Sequence, residues 1–262
     1  MKFSANLSLL FTEVEWPERF RAARQAGFDA VEIQFPYNEK PETLRQALAE
    51  NDLKLVLFNV DADDLLQGGE GLAAVPEKRN RFKAALAQTL DYIQVLKPEA
   101  VNVLPGCCFN TDRNEAYLTT FKENLLLAAQ SFWPLGVKTV FEAINTDTMP
   151  GFIIHNGEQM LRVLEALQHP GLFMQYDIYH MHKMAEPITD FITRHADKIG
   201  HIQFADHPGR GQPGTGSIDF ERIFLCIGQS GYQGWVGAEY QPRGETKESL
   251  QWLSRSPVYR AI

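Results

Sequence analysis

Apolar runs of about five to seven residues alternate along this chain with longer stretches whose apolar residues recur every three or four positions. The short runs predict strands at 3–9, 30–35, 53–59, 100–104, 137–142, 172–177, 199–204 and 235–239. The stretches between them predict helices at 17–27, 41–50, 78–96, 115–133, 157–167, 187–195, 220–229 and 247–253. Phe82, Leu86, Leu90 and Ile93 show the helical spacing most clearly. Pro17 and Pro41 suit first helical turns, Pro36 stops the second strand, and Asp219 suits a helix cap.

Eight strand–helix pairs in this length predict an α/β protein, a single (β/α)8 TIM barrel spanning 1–262. A doubly wound open sheet would more often carry a glycine-rich phosphate loop after strand one, where this chain has Ser8-Leu9-Leu10-Phe11. No second domain, internal repeat or low-complexity segment interrupts the pattern. The tail from Ser254 has no pattern and reads as a strap on the barrel. Residues 61–76 form the longest polar connection. The centre, Gly68-Gly69-Glu70-Gly71, predicts a mobile flap or a tight fold-back, with Glu70 a surface acid.

The composition is that of an ordinary globular protein, with 44% hydrophobic and 22% charged residues. The net charge of −8 argues against nucleic acid or an anionic membrane as the main partner. A small anionic substrate remains compatible if the site supplies its own cations. Homo-oligomerisation is left open. Three cysteines, two of them adjacent at Cys107 and Cys108, fit a reducing cytoplasm better than a disulfide scaffold. With no flanking base, both read as small buried thiols. The start, MKFSANLSLLF, reads as a strand rather than a signal peptide, and no apolar run approaches the roughly 20 residues that span a bilayer.

Chemistry in such barrels sits at the C-terminal ends of the strands. The last four predicted strands end at Glu142, Asp177, Gln203 and Glu239. Four inward oxygen ligands on adjacent strands make a cage for one divalent cation, and all-oxygen ligands favour Mg2+ or Mn2+ over Zn2+. Three carboxylates and a dication leave a net negative site, so an anionic substrate needs further cations. His180, Lys183 and Arg210 follow the ligands closely. Arg210 can grip a carboxylate with two parallel hydrogen bonds, and His180 can hydrogen-bond an oxygen. Lys183 also fits a solvated helix start, and Met181 and Met184 fit packing.

Several segments carry a family resemblance. They are FSANLSLLF (3–11), GFDAVEIQFPY (27–37), FEAIN (141–145) with PGF (150–152), QYDIYHMHKM (175–184), ADKIGHIQFADHPGRGQPGTGSIDF (196–220) and GYQGWVGAEYQPRG (231–244). Through them the chain resembles the hydroxypyruvate isomerases of the xylose-isomerase-like barrel superfamily. It departs at Glu77-Lys78-Arg79 after Pro76, where the family resemblance leads one to expect Pro-Gly-Arg-Glu. The resemblance implies isomerisation of hydroxypyruvate, a small 2-oxo acid, to tartronate semialdehyde. It implies a metal on Glu142, Asp177, Gln203 and Glu239, with Glu142 and Glu239 catalytic in moving a proton through an enediolate. Related sugar epimerases usually carry His where Gln203 stands, so Gln203 points to hydroxypyruvate isomerases or the 2-oxo-tetronate isomerases close to them. The rivals are a ketose 3-epimerase, a polyol lyase and a non-enzymatic sensor. A DNA-repair nuclease on this fold would need more histidines than 7 and a basic groove.

Overall fold

The predicted strands are nearly continuous in apolar residues because the strands of a parallel sheet are covered on both faces. The computed structural model describes residues 1–255. Its strands are β1 (Lys2–Asn6), β2 (Ala30–Ile33), β3 (Lys54–Asn59), β4 (Ala100–Asn102), β5 (Lys138–Glu142), β6 (Leu172–Asp177), β7 (Ile199–Phe204) and β8 (Trp235–Ala238). All pair in parallel in chain order, and β8 pairs with β1 to close the barrel. This is the predicted TIM barrel. In the β6–β7–β8 ladder, Asp177 lies opposite Gln203, and Gln203 opposite Gly237.

The outer helices are α1 (Trp16–Gln25), α2 (Pro41–Glu50), α3 (Arg79–Leu96), α4 (Asn114–Phe132), α5 (Gly157–Leu167), α6 (Ile178–Lys183), α7 (Ile188–His195), α8 (Phe220–Gln229), α9 (Thr246–Ser249) and α10 (Gln251–Arg255). Local chemistry sets their starts. Pro17 and Pro41 sit in the first turns of α1 and α2, and Asn156 and Asp219 cap α5 and α8 by accepting the Gln159 and Arg222 amides. The predicted cap at Asp219 is therefore present.

Three elements differ from expectation. Strand β1 stops at Asn6 because the Asn6 carbonyl accepts the Leu9 and Leu10 amides and turns the chain. Helix α6 was not predicted. Asp177 is both the last residue of β6 and the cap of α6, accepting the Tyr179 amide at 2.8 Å, so no loop separates them. The predicted helix at 247–253 is two short turns, α9 and α10, broken at Leu250. The tail read as a strap runs mostly outside the described residues.

A small apolar cluster of Ala30, Val56, Leu57, Ala100, Val140 and Trp235 includes the first residues of β2, β4 and β8. Its Leu57 also reaches the cavity at the C-terminal end of the barrel, where the polar side chains gather.

Candidate active site

The C-terminal mouth holds a cavity with about 90 Å3 open to the centres of water molecules. That is room for several waters or one small metabolite. Glu142, Gln203, Glu239, His180 and Arg210 line it together with Asn6, Glu32, Gln34 and Gln175. The facing wall is apolar, with Leu57, Leu65, Leu66, Leu104, Ile144 and Met149.

Glu142 and Glu239 are each held from a neighbouring strand, whereas Asp177 accepts the Tyr179 amide of its own chain segment. Glu142 accepts the Asn102 amide of β4 at 2.8 Å. Glu239 accepts Asn6 at 3.1 Å and Gln34 at 3.0 Å on one oxygen, and Arg210 Nη2 at 2.6 Å on the other. The Arg210 guanidinium also lies 3.8 Å from Asp177. Gln203 donates to Glu32 at 2.8 Å, and its carbonyl oxygen accepts Gln175 at 2.6 Å.

Burial and mutual repulsion set the electrostatics. Burial, with the nearby charges of Glu239 and Asp177, pushes Glu142 well above the usual carboxylate range. Glu239 is pushed up to about 7, chiefly by burial, with Arg210 pulling the other way and Asp177 and Glu32 adding to the rise. Burial also raises Asp177, against the pull of Arg210. His180 moves well below its ordinary value through burial and the charges of Arg210 and Lys183. Its Nδ1 faces two N–H donors of Asn145, the side-chain amide at 2.6 Å and the backbone amide at 3.4 Å. The neutral ring therefore carries its proton on Nε2, which lies 3.5 Å from Asp177 Oδ2.

The donor set fits a hard dication. Three buried carboxylates face a single guanidinium, and buried acceptor oxygens on Asn102 and Gln175 have no donor. Glu142, Asp177 and His180 each place a potential ligand atom within 4.8 Å of the others, so this triad can hold a metal ion. With Nδ1 accepting from Asn145, the imidazole is better suited to donating a hydrogen bond than to ligating.

Two predicted site residues, Asp177 and Lys183, lie outside the cavity lining, but Asp177 stays within 3.8 Å of Arg210 and 3.5 Å of His180, which line it. Lys183 is set further off. It lies 3.5 Å from Asp147 and 3.4 Å from Thr148, with its ammonium over the Tyr179 ring.

The loop that presents Arg210 is built on Asp206. This fully buried carboxylate accepts the backbone amides of His207, Gly214, Gly216 and Ile218 at 2.8 to 3.1 Å. Gly216 is required there, since a Cβ would sit 2.1 Å from the His207 carbonyl oxygen. The Pro-Gly-rich segment is thus a folded platform rather than a solvated connection.

The 61–76 loop takes the fold-back form. Glu70 is no free surface acid, because it accepts the Tyr117 hydroxyl at 2.6 Å and the Phe109 amide at 3.0 Å. Lys78, within the segment that departs from the family pattern, binds Asp63, Asp64 and the Gly71 carbonyl at 2.8 to 3.0 Å. These bonds tie down the segment that brings Leu65 and Leu66 to the cavity lining. Cys107 and Cys108 are buried free thiols. Burial, followed by the Glu70 charge, pushes Cys107 up to about 11, which leaves it unreactive.

Sequence reasoning assigned no role to Glu32, Asn6, Gln34, Asn102, Asn145 or Gln175. The available signal was polar side chains inside otherwise apolar strand runs, since buried polar groups need partners.

Comparison with known proteins places this geometry. Residues 20–256 match the family described as xylose isomerase-like TIM barrel. The chain is 39% identical over 253 residues to a hydroxypyruvate isomerase of Escherichia coli (strain K12), covering 97% of this chain and 98% of that protein. It is 36% identical to a 2-oxo-tetronate isomerase of Pectobacterium atrosepticum, covering 96% of each. A solved structure from Brucella melitensis, described as an AP endonuclease of family 2, superposes with a TM-score of 0.93 at 33% identity, covering 97% of this chain and 98% of that one.

Proposed function

The chain belongs to the xylose isomerase-like TIM barrel family and is an isomerase, and from that premise we propose that it interconverts hydroxypyruvate and tartronate semialdehyde. One observation carries the reading. Three under-neutralised carboxylates and one arginine converge on a cavity of about 90 Å3, which suits a short oxo acid with a divalent ion.

In this reading Glu142, Asp177, Gln203 and Glu239 hold Mg2+ or Mn2+. When bound, the ion would supply positive charge to offset the negative charge that develops on the substrate. Arg210 holds the substrate carboxylate, and His180 Nε2–H donates to a substrate oxygen. Lys183 adds positive potential from outside the lining.

One of Glu142 and Glu239 removes a proton from C3 of hydroxypyruvate, giving an enediolate. The other delivers a proton to C2, while the hydroxyl proton passes from O3 to O2. The product is an isomer, with no atom gained or lost. The buried apolar side chains of Leu65 and Ile144 limit the access of bulk water, which would otherwise compete for the protons.

The reading assigns a small 2-oxo acid as partner, not nucleic acid, in keeping with the net charge of −8. Among the described residues no helix is long and apolar enough to cross a membrane. The free cysteines fit a cytoplasmic setting.

Kinetics with Mg2+ or Mn2+ test the assignment by comparing hydroxypyruvate, a four-carbon 2-oxo-tetronate and a neutral ketose. The expected result is the highest kcat/KM on hydroxypyruvate. Preference for the four-carbon acid would reassign the substrate to the one named for the Pectobacterium relative. Preference for the ketose would make the enzyme an epimerase.

A further inference from the structure

We propose that Glu32 is a positioning residue. Its carboxylate fixes the Gln203 side-chain amide so that the carbonyl oxygen, rather than the NH2 group, is offered to the cation. The inference rests on the metal reading of Gln203 given above.

Glu32 is carried by β2, four strands round the barrel from β6 and separated from β7 by β1 and β8. Its side chain reaches β7 through the barrel interior and is 1% exposed. One oxygen accepts the Ser4 hydroxyl at 2.6 Å and lies 2.8 Å from His201 Nε2. The other accepts Gln203 Nε2 at 2.8 Å and Asn6 Nδ2 at 3.5 Å. Gly237 of β8 leaves the space for it, since a Cβ at that position would sit 1.9 Å from Glu32 Oε1.

An ionised carboxylate only accepts hydrogen bonds. The end of Gln203 that faces Glu32 must therefore be its NH2 group. The carbonyl oxygen is forced to the opposite end, where Gln175 donates to it at 2.6 Å and a second lone pair remains. An amide free to rotate would present NH2 to a cation half of the time. Asn6 extends the control, because the same Nδ2 also donates to Glu239 at 3.1 Å. Outer partners of this kind typically change metal affinity by about 10–100-fold when removed.

The test is an amide–carboxylate exchange read by Mn2+ binding to the full chain, followed by titration calorimetry. E32Q offers an NH2 group where only acceptors are tolerated and should weaken Mn2+ binding by at least ~10-fold. Q203E sets two carboxylates against each other and should also bind weakly. In E32Q/Q203E the amide at 32 donates to a carboxylate whose two oxygens are equivalent. Its Mn2+ affinity should return toward wild type, a non-additive recovery that a purely structural role for Glu32 would not give. Unchanged affinity in E32Q would overturn the assignment. So would a double variant that binds no better than the weaker single. If E32Q does not fold, the double variant alone decides, since it keeps one carboxylate and one amide in the Glu32–Gln203 pair. No Mn2+ binding by the wild type would overturn the metal reading and this inference together. Binding by the wild type with no effect of E32Q would overturn only this one.

Discussion

Glu32 and Glu239 are both buried, both lie at the mouth of the same barrel, and both accept a hydrogen bond from Asn6, yet their acidities move in opposite directions. At Glu32 burial works to raise the pKa, but the His201 charge and the bonds from His201, Ser4 and Gln203 outweigh it, and the value falls below the ordinary 4.5. Glu239 is pushed up to about 7 by burial and neighbouring acids, although it accepts three side-chain donors, one of them a guanidinium, against four partners at Glu32. One partner fewer is not the main difference between them. Glu32 faces a ring of donors, whereas Glu239 shares its space with Asp177 and Glu142. The first arrangement is electrostatically complete. The second is short of positive charge, which is what the proposed cation site requires.

The sharpest way to break the comparison is to remove one acid from each side of the cavity. E142Q and E239Q should each lower kcat by at least ~10²-fold if those groups move protons. Steady-state assays on folded variants check this, and near-normal turnover in both would remove them from the chemistry. R210A should come next, raising KM for hydroxypyruvate by about 10–100-fold, the worth of a lost charge-assisted contact. An equal rise for a neutral ketose would show that Arg210 does not read the carboxylate.

The proton on Glu239 gives a smaller, pH-dependent effect. A carboxylate whose pKa rises from 4.5 to about 7 on folding holds a proton in the folded, ion-free protein. Stability of the ion-free fold should then decline as pH rises from the ordinary value through 7. An incoming cation must displace that proton, so Mn2+ affinity should fall by up to about tenfold per unit below pH 7. Calorimetry in buffers of different ionisation enthalpy should record proton release on binding. No release at pH 6.5 would contradict the shift. The smallest effect belongs to K183A. Its partner Asp147 is largely exposed, so stability should change by less than about 1 kcal/mol in thermal melts, with KM for hydroxypyruvate rising no more than about threefold.

The barrel was legible because its rules are local. Apolar runs, turn residues and helix periodicity located all eight strands, with no strand boundary shifted by more than three residues. Glu142, Asp177, Gln203 and Glu239 were legible for the same reason, as polar residues closing apolar runs at the barrel end where chemistry gathers. Glu32 and His201 were not, because their meaning is mutual and 169 positions separate them. Each alone is a polar interruption in a strand. Only closure of β8 on β1 brings them together and gives Gly237 its purpose. The Asp206 platform was half legible, since its turn residues predict loops but the single carboxylate that gathers four backbone amides is a tertiary fact. Helix α6 was hidden by economy, with Asp177 serving as strand end, cap and site residue at once.

The central claim is metal-dependent proton transfer on a short oxo acid. Its most direct test is proton NMR in D2O with hydroxypyruvate, first on ion-free protein and then with Mg2+ or Mn2+ added. The account predicts that tartronate semialdehyde appears only with the ion and carries deuterium at C2. Conversion at the same rate without any ion, or no conversion with either ion, would contradict it.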